Sequence, residues 1–476
     1  MEQVFNIPII INGKKIEEAD SYHEIHYETG VTLKIPALDE KLKKEILSKE
    51  YTDLSDMSLD DITVFLAEVG EKWGNSEYPL HRQAVELASE ITGYSPHIFE
   101  EDFQRIARTL RRQKLYDLVE SDLGNSLYLD EWFPCQSVYT KAKPKGIVLH
   151  IMVGNVPLAG LFTIVRSVLC KNRTIAKLPS RDLISCLFFA LTFLDIAPDH
   201  PISKSLTVVY WPGGSEVEKE MIAHSNVVCA WGQGNSISSI KKEIPYGVDF
   251  VEFGPKESFL IIDATQENLD EICMRAAYDI CVYEQEACFS AQRVFVKGDI
   301  ENFVDTLAKW MKLIQKRLPV GFKSIDKEAE IMKSRMSAQY LGCKIIGDGT
   351  LDWGIVVTKP NEWDIINHPL SRTIYVHPVE RMEDAISFTH REVQSVGVSP
   401  WEKGKEMADQ LTDRGALRVV EIGLMSRPRP GFTHDGMKPM NDLVRWVSVE
   451  RGLDYKGKHR ATSKEEFVKN LFKKGL

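Results

Sequence analysis

Between residues 145 and 254 the chain repeats one pattern: a short apolar run, a turn of Gly, Pro or Asn, then a stretch with helical spacing. The runs are Ile147-Val-Leu-His-Ile-Met-Val153, Thr174-Ile-Ala-Lys-Leu178, Leu206-Thr-Val-Val-Tyr-Trp211 and Val227-Val-Cys-Ala-Trp231. They are apolar along most of their length and do not alternate with polar residues. A strand of that kind is covered on both faces, as in a parallel sheet flanked by helices. The spacing predicts helices over residues 158–170, 182–194 and 216–223, and a further strand and turn over 245–253 closed by Gly254-Pro255. A second unit of the same kind follows. It has expected strands over 259–262, 291–296, 354–358 and 373–376, and helices over 268–282 and 300–318. Upstream, residues 1–118 are charged and mostly helical in pattern, with a strand-like element within 8–32. Residues 119–140 mix strand and turn signals and carry Tyr128, Trp132, Phe133 and Tyr139, as a bridging arm would. The expected fold class is α/β with parallel sheets.

The formal net charge of -10 makes the chain a poor general binder of nucleic acid or anionic membrane. The longest apolar stretch, residues 183–197, is interrupted by Asp195 and falls short of the roughly 20 residues a membrane span requires. It is expected to be a buried helix. The first residues lack the basic head and apolar run of a secretory signal, so a cytoplasmic protein is expected. Of the eight cysteines none forms a CxxC pair, and most stand in apolar surroundings. Reduced, buried thiols are the expectation, and no metal site.

Four positions suggest chemistry. Cys288 lies in Tyr283-Glu-Gln-Glu-Ala-Cys-Phe-Ser-Ala-Gln-Arg293, between a helical stretch and a strand. At a helix N-terminus its thiolate would be favoured and could hold an acyl group as a thioester; an inert thiol at an element end fits equally well. Glu252, at the end of an expected strand, suits a general base at the sheet's ligand edge, or a solvated carboxylate. Asn155, in the turn Gly154-Asn155-Val156-Pro157, suits an oxyanion donor or a helix N-cap. Lys177, at a strand end, suits phosphate or ribose contacts, or plain solvation. No G-x-G-x-x-G follows a strand, and Trp231-Gly232-Gln233-Gly234 is only a partial dinucleotide fingerprint.

Taken together, in order and spacing, the segments from about residue 144 to 296 resemble the aldehyde dehydrogenase superfamily. Gly154-Asn155-Val156-Pro157-Leu158 is similar to its Pro-Trp-Asn turn, and Ala176-Lys177-Leu178-Pro179-Ser180 to its Lys-Pro-Ser-Glu strand end. Glu252-Phe253-Gly254-Pro255-Lys256 is similar to Glu-Leu-Gly-Gly-Lys, and Glu284-Gln285-Glu286-Ala287-Cys288 with Arg293 to its nucleophile segment. Gly431-Phe-Thr-His-Asp-Gly436 and Leu443-Val-Arg-Trp446 resemble one branch, the long-chain fatty acyl reductases of bacterial bioluminescence.

The resemblance implies Cys288 as acyl acceptor, Asn155 in the oxyanion hole and Glu252 as general base. It implies Lys177 at the adenosine ribose, and Trp231, Gly232, Gln233 and Gly234 beside the pyrophosphate. Ser180 and Arg181 stand where NAD-preferring members carry a carboxylate, which implies NADPH. The family's Glu-x-Phe-Gly-Pro is missing, with His377-Pro378 in the comparable region, and one extra residue separates Gln285 from Cys288. His434, in the Pro/Gly-rich segment 427–436, is a candidate lid residue. The implied layout is a cofactor-binding domain over 1–119 and 144–253, a catalytic domain over 254–445, and an oligomerising bridge of 120–143 with 446–476. The implied activity is reduction of a long-chain fatty acyl thioester to an aldehyde that feeds bacterial luciferase. It would run in a homo-oligomer, in complex with acyl-protein synthetase and acyltransferase subunits. The alternative is a general NAD(P)-dependent or short-chain CoA-acylating aldehyde dehydrogenase.

Overall fold

In the computed structural model residues 3–48, 53–135, 138–360, 362, 368–429 and 431–450 are described; residues 451–476, assigned above to the bridge, lie outside them. The repeated apolar runs form one sheet of seven strands. Its order is Asp249–Phe253, Val227–Trp231, Ile147–Ile151, Arg173–Lys177, Leu206–Val209, Ile9–Ile11 and Lys14–Ile16. The first five are mutually parallel; the last two add antiparallel. The earliest parallel strand, Ile147–Ile151, lies at the centre, and the chain winds outward from it in both directions. Such an order leaves a crevice at the carboxyl ends, where the two directions diverge. Register places Lys177 opposite Ile151 and Val209, and Trp231 opposite Phe253, along that rim.

Both faces are buried, as the apolar runs require. The surrounding core includes the helices Leu59–Trp73, Pro79–Thr92, Pro96–Thr109, Pro157–Leu169 and Ser185–Ile196. The helix expected over 182–194 begins three residues later. Asp182 Oδ1 accepts from the Ile184 and Ser185 N–H groups at 3.1 and 2.9 Å, so the aspartate stands before the helix and ties its first turn. The strand-like signal near the N-terminus is Ile9–Ile11, fully buried against Leu206–Val209.

A second sheet of seven strands holds the later part of the chain. Its order is Lys344–Ile346, Gly354–Val357, Thr373–Val379, Ala291–Lys297, Glu257–Asp263, Val393–Ser399 and Val419–Glu421. All neighbours are parallel except the first pair. The helices Leu269–Cys281 and Ile300–Arg317 join its core through Ile272, Ala276, Ile280, Phe303 and Leu307. Val138–Pro144 pairs antiparallel with Phe133–Cys135 and with Val444–Val449. No helix among the described residues is long and apolar enough to cross a membrane.

One glycine controls how the first sheet meets the site. A Cβ at Gly154 would lie 2.8 Å from Arg181 Cβ and 2.9 Å from the Asp182 nitrogen. The turn carrying Asn155 is therefore seated directly on the turn after Lys177. Gly154→Ala is expected to destabilise the protein by about 1–3 kcal/mol, the usual range for overpacking, as measured by urea unfolding. An unchanged unfolding midpoint would show that the two turns can part freely.

Candidate active site

A cavity of about 1100 Å³ lies between the carboxyl rim of the first sheet and a turn of the second, with Lys177, Trp231, Asn155 and Cys288 all in its lining. On the first-sheet side, the strand Val227–Trp231 leads through Gly232 and Gln233 into the helix Gly234–Lys242, which the sequence pattern did not reveal. That helix has no side-chain cap at Gln233, so its first N–H groups are left for other acceptors. A Cβ at Gly234 would meet nothing within 4 Å, which leaves open space at this terminus. The Trp231 ring stacks on Phe253 with centroids 3.9 Å apart. Lys177 is buried, and burial lowers its pKa while Glu218 opposes this. Glu218 has both oxygens engaged, by Trp211 Nε1 at 3.1 Å and the Gly214 N–H at 2.9 Å.

On the opposite side the backbone does something unusual. Tyr283, Glu284 and Gln285 have φ of 53°, 52° and 64°, three successive non-glycine residues in the left-handed region. Each costs roughly 1–2 kcal/mol relative to a right-handed residue. Specific bonds hold the run in place. Tyr283 OH donates to Asp102 Oδ1 at 2.5 Å. Glu284 receives Arg372 Nε at 2.9 Å and Nη2 at 2.6 Å. Gln285 Nε2 donates to the carbonyls of Ala291 and Thr373 at 2.7 and 2.9 Å. Arg372 ends a second left-handed run, Leu370-Ser371-Arg372, with φ of 59°, 52° and 55°. The Ser371 N–H donates to the Glu284 carbonyl at 2.9 Å, so the two runs brace each other.

The braced turn delivers Cys288. Six of the other cysteines are buried and Cys135 is exposed, so Cys288 is the half-buried thiol that opens on the cavity. The expectation of a helix N-terminus is not met: the preceding helix, Leu269–Cys281, ends before the turn. Burial pushes the thiol up to about 12 and Asp435 adds to the rise, against the N–H groups of Cys288 and Phe289 and the Arg418 cation. The resting group is a thiol and needs a base. Asn155 is not an N-cap; that position belongs to Val156. Its Nδ2 donates to the Glu286 carbonyl at 2.8 Å, two residues before Cys288. An amide nitrogen has two hydrogens, so one donor remains.

Two expected site residues, Glu252 and Arg181, stand differently. Glu252 does not line the cavity. Alternation along Asp249–Phe253 turns Phe253 inward and leaves Glu252 half-exposed on the edge strand, paired with Lys241 at 3.0 Å. Arg181 lines the cavity with Ser180, but its guanidinium is paired with Glu286 and stacked over the Tyr94 ring at 5.1 Å. The Tyr94 hydroxyl lies 2.7 Å from Glu286 Oε2 and 3.0 Å from the Asn155 carbonyl. His434 covers the aromatic rim edge-on, 4.9 Å from Trp231 and 5.2 Å from Phe253 between centroids, and burial holds it neutral with a pKa near 3. His377, from the segment replacing Glu-x-Phe-Gly-Pro, is buried and bonded to Thr358 Oγ1 at 2.7 Å. Sequence reasoning missed Asp102, Arg372, Glu286 and Asp435. The last two had a signal, Glu286 as the extra residue before Cys288 and Asp435 standing next to His434 in the segment 427–436.

Arg372→Met would leave the Glu284 carboxylate buried without its cation. The expected loss is about 3–5 kcal/mol in urea unfolding, with slower alkylation of Cys288 by iodoacetamide as the turn relaxes. A variant as stable as the wild type would remove the brace from the account.

The chain is similar to known proteins over most of its length. The model of the acyl-CoA reductase (LuxC) family matches residues 54–446. The chain is 34% identical to the long-chain acyl-protein thioester reductase of Vibrio harveyi, over 94% of each protein. It is 35% identical to that of Aliivibrio fischeri, covering 97% of this chain and 96% of the relative. Among solved structures it resembles an aldehyde dehydrogenase from Bacillus cereus in complex with NAD+, at a TM-score of 0.74 and 15% identity, over 94% of this chain and 97% of that one. It also resembles the NADP-dependent glyceraldehyde-3-phosphate dehydrogenase of Bacillus halodurans, complexed with NADP. There the TM-score is 0.72 and the identity 14%, over 94% and 100% of the two chains. These two likenesses establish the aldehyde-dehydrogenase-like fold.

Proposed function

The chain belongs to the acyl-CoA reductase (LuxC) family, and we propose that it reduces a long-chain fatty acyl thioester to the aldehyde through an acyl group held on Cys288. The carrying observation is a cavity-facing thiol on a braced turn, opposite an open helix terminus at the rim of a parallel sheet. The residues present suit a nicotinamide dinucleotide. The uncapped N–H groups at Gly234 and the ammonium of Lys177 suit its phosphates and adenosine ribose, and Trp231, Gly232 and Gln233 line the same cavity as the thiol. When bound, it supplies the hydride.

The chain's own residues do the rest. Cys288 takes the acyl group from the donor thioester. The free amide hydrogen of Asn155 and the Cys288 N–H stabilise the oxyanion formed at the acyl carbon. His434, Trp231 and Phe253 restrict water at that end, which protects the thioester from hydrolysis. Collapse of the oxyanion breaks the C–S bond, releases aldehyde and leaves the Cys288 thiolate. Glu252 has no part in this scheme, because no deacylating water is needed.

NADPH is proposed as the donor, on Ser180 and Lys177 rather than on Arg181. The engaged Glu218 oxygens are not available to two ribose hydroxyls. Arg181 keeps a role through Glu286, with which it pairs beside the Cys288 turn. A homo-oligomer is proposed to form on the arm sheet, where Trp132, Tyr139, Trp446 and Val449 are exposed. Acyl-protein synthetase and acyltransferase partners, and a cytoplasmic setting with luciferase downstream, are proposed from the family alone. The general or CoA-acylating aldehyde dehydrogenase is the less favoured reading.

Incubation with labelled tetradecanoyl-CoA should place acyl label on Cys288 and yield tetradecanal on adding NADPH. Cys288→Ser should abolish both, and Cys135→Ser neither; a label mapped to another cysteine would overturn the assignment. Ser180→Glu should weaken NADPH binding about tenfold or more, with NADH spared, since a carboxylate repels the 2′-phosphate. Equal losses for both nucleotides in titration would remove Ser180 from phosphate recognition. Trp446→Glu should lower the assembled mass in light scattering; an unchanged mass would place the contact elsewhere.

A further inference from the structure

Four carboxylates line the cavity among the described residues: Glu218, Glu243, Glu286 and Asp435. Glu218 and Glu286 are taken, by Trp211 with Gly214 and by Arg181 with Tyr94. Glu243 is exposed at the end of the helix Gly234–Lys242. Asp435 differs from all three. Its side chain is 7% exposed. Its Oδ1 has no hydrogen-bond partner. A buried carboxylate oxygen without a donor is costly, and here it stands in the same cavity as a thiol on which its charge acts.

The loop holds this carboxyl in place from both sides. Asp435 has φ 49° and Gly436 φ 78°, a left-handed pair at the tip of a reverse turn. The turn is closed by the His434 N–H to the Met437 carbonyl at 3.0 Å and the Met437 N–H to the His434 carbonyl at 2.8 Å. His434 anchors it on Trp231 and Phe253. The groups around the pair are few. Lys256 and the Gln394 side chain favour the ionised Asp435, while burial pushes its pKa up to about 6. Arg418 favours the Cys288 thiolate. His434 Nε2 lies 3.8 Å from Asp435 Oδ1 and is neutral. Near neutral pH the cavity thus holds a thiol and, in the same lining, a carboxylate that has room for one proton.

We propose that Asp435 accepts the proton of the Cys288 thiol as the acyl group arrives, and hands it to the departing thiol. The proposal rests on the acyl-transfer reading above. In this step the Cys288 S–H bond breaks and its proton moves to an Asp435 oxygen. The sulfur lone pair forms the new bond to the acyl carbon. The donor's C–S bond breaks, and its thiolate takes the proton from Asp435, restoring the carboxylate. One thioester replaces another, and nothing is oxidised or reduced. After aldehyde release the same carboxyl, protonated again from water, returns a proton to the Cys288 thiolate.

Two rates in the full-length protein test this: alkylation of Cys288 by iodoacetamide across pH, and acyl labelling of Cys288 from tetradecanoyl-CoA near pH 7. In Asp435→Asn the anion whose charge raises the thiol's pKa is gone, so the alkylation midpoint should fall by about half a pH unit or more. Acyl labelling should nevertheless slow roughly 100-fold, the lower range for loss of a general base. Asp435→Glu should restore labelling to within about tenfold of wild type. Labelling that rises with alkylation would mean that thiolate content alone matters, and would overturn the proposal. A fall in both rates, with no rescue by glutamate, would assign Asp435 a structural role and overturn it as well. A wild type that takes no acyl label overturns the acyl-transfer reading instead. In that case an unmoved alkylation midpoint in Asp435→Asn overturns the pairing too.

Discussion

The buried ion pair between Glu284 and Arg372 is the contact on which the site's geometry rests. Its two side chains are 10% and 0% exposed, and its bonds are bidentate at 2.9 and 2.6 Å. It joins two left-handed runs of three residues each, none of them glycine. At roughly 1–2 kcal/mol per residue, neither run would persist alone. Arg372 also reaches Gln315 Oε1 and the Leu318 carbonyl, each at 2.8 Å, so the turn is referred to the end of the helix Ile300–Arg317. The strain sits next to the nucleophile because the chain must reverse sharply between the helix Leu269–Cys281 and the strand Ala291–Lys297 while facing Cys288 outward.

A second set of contacts ties this turn to the first sheet. Asn155 Nδ2, Tyr94 OH and the Arg181 guanidinium all converge on Glu286. Gly154 lets that cluster close, since no side chain fits between the two turns of the first sheet. The extra residue between Gln285 and Cys288 is used here: Glu286 is the position that receives Asn155 and Arg181. The cavity is therefore a joint product of the two sheets. One contributes a helix terminus and a cation, the other a thiol. The tail loop then covers the aromatic rim with His434 and adds the Asp435 carboxyl to the cavity lining.

Much of this was legible along the chain, and the reason is local. Apolar runs such as Val227-Val-Cys-Ala-Trp231 specify buried parallel strands by composition, and Pro157 marks a helix start at its N1 position. Cys288, Asn155, Lys177 and the Trp231 segment each had an ordinary reading from their places at strand and turn ends, and were singled out by the resemblance in order and spacing. The helix Gly234–Lys242 was not, because Gly-Asn-Ser-Ile-Ser-Ser has weak helical propensity and relies on packing of Ile237 and Ile240. The first sheet's antiparallel edge escaped notice because Ile9–Ile11 pairs with a strand near residue 208.

The sequence alone thus determined the fold class, most of the parallel strands and their intervening helices, and the residue types at each turn, all set by neighbours a few positions apart. Only the tertiary structure decided which side chains face the cavity. A one-residue alternation in an edge strand sends Glu252 to solvent and Phe253 inward. Contacts spanning 88, 131 and 181 positions fix Glu284 on Arg372, Asn155 on Glu286 and Tyr283 on Asp102. The charge state of Cys288 follows from that assembly rather than from its own neighbours in the chain, because burial and the charge of Asp435 act on it only once both sheets and the tail loop have closed around the cavity.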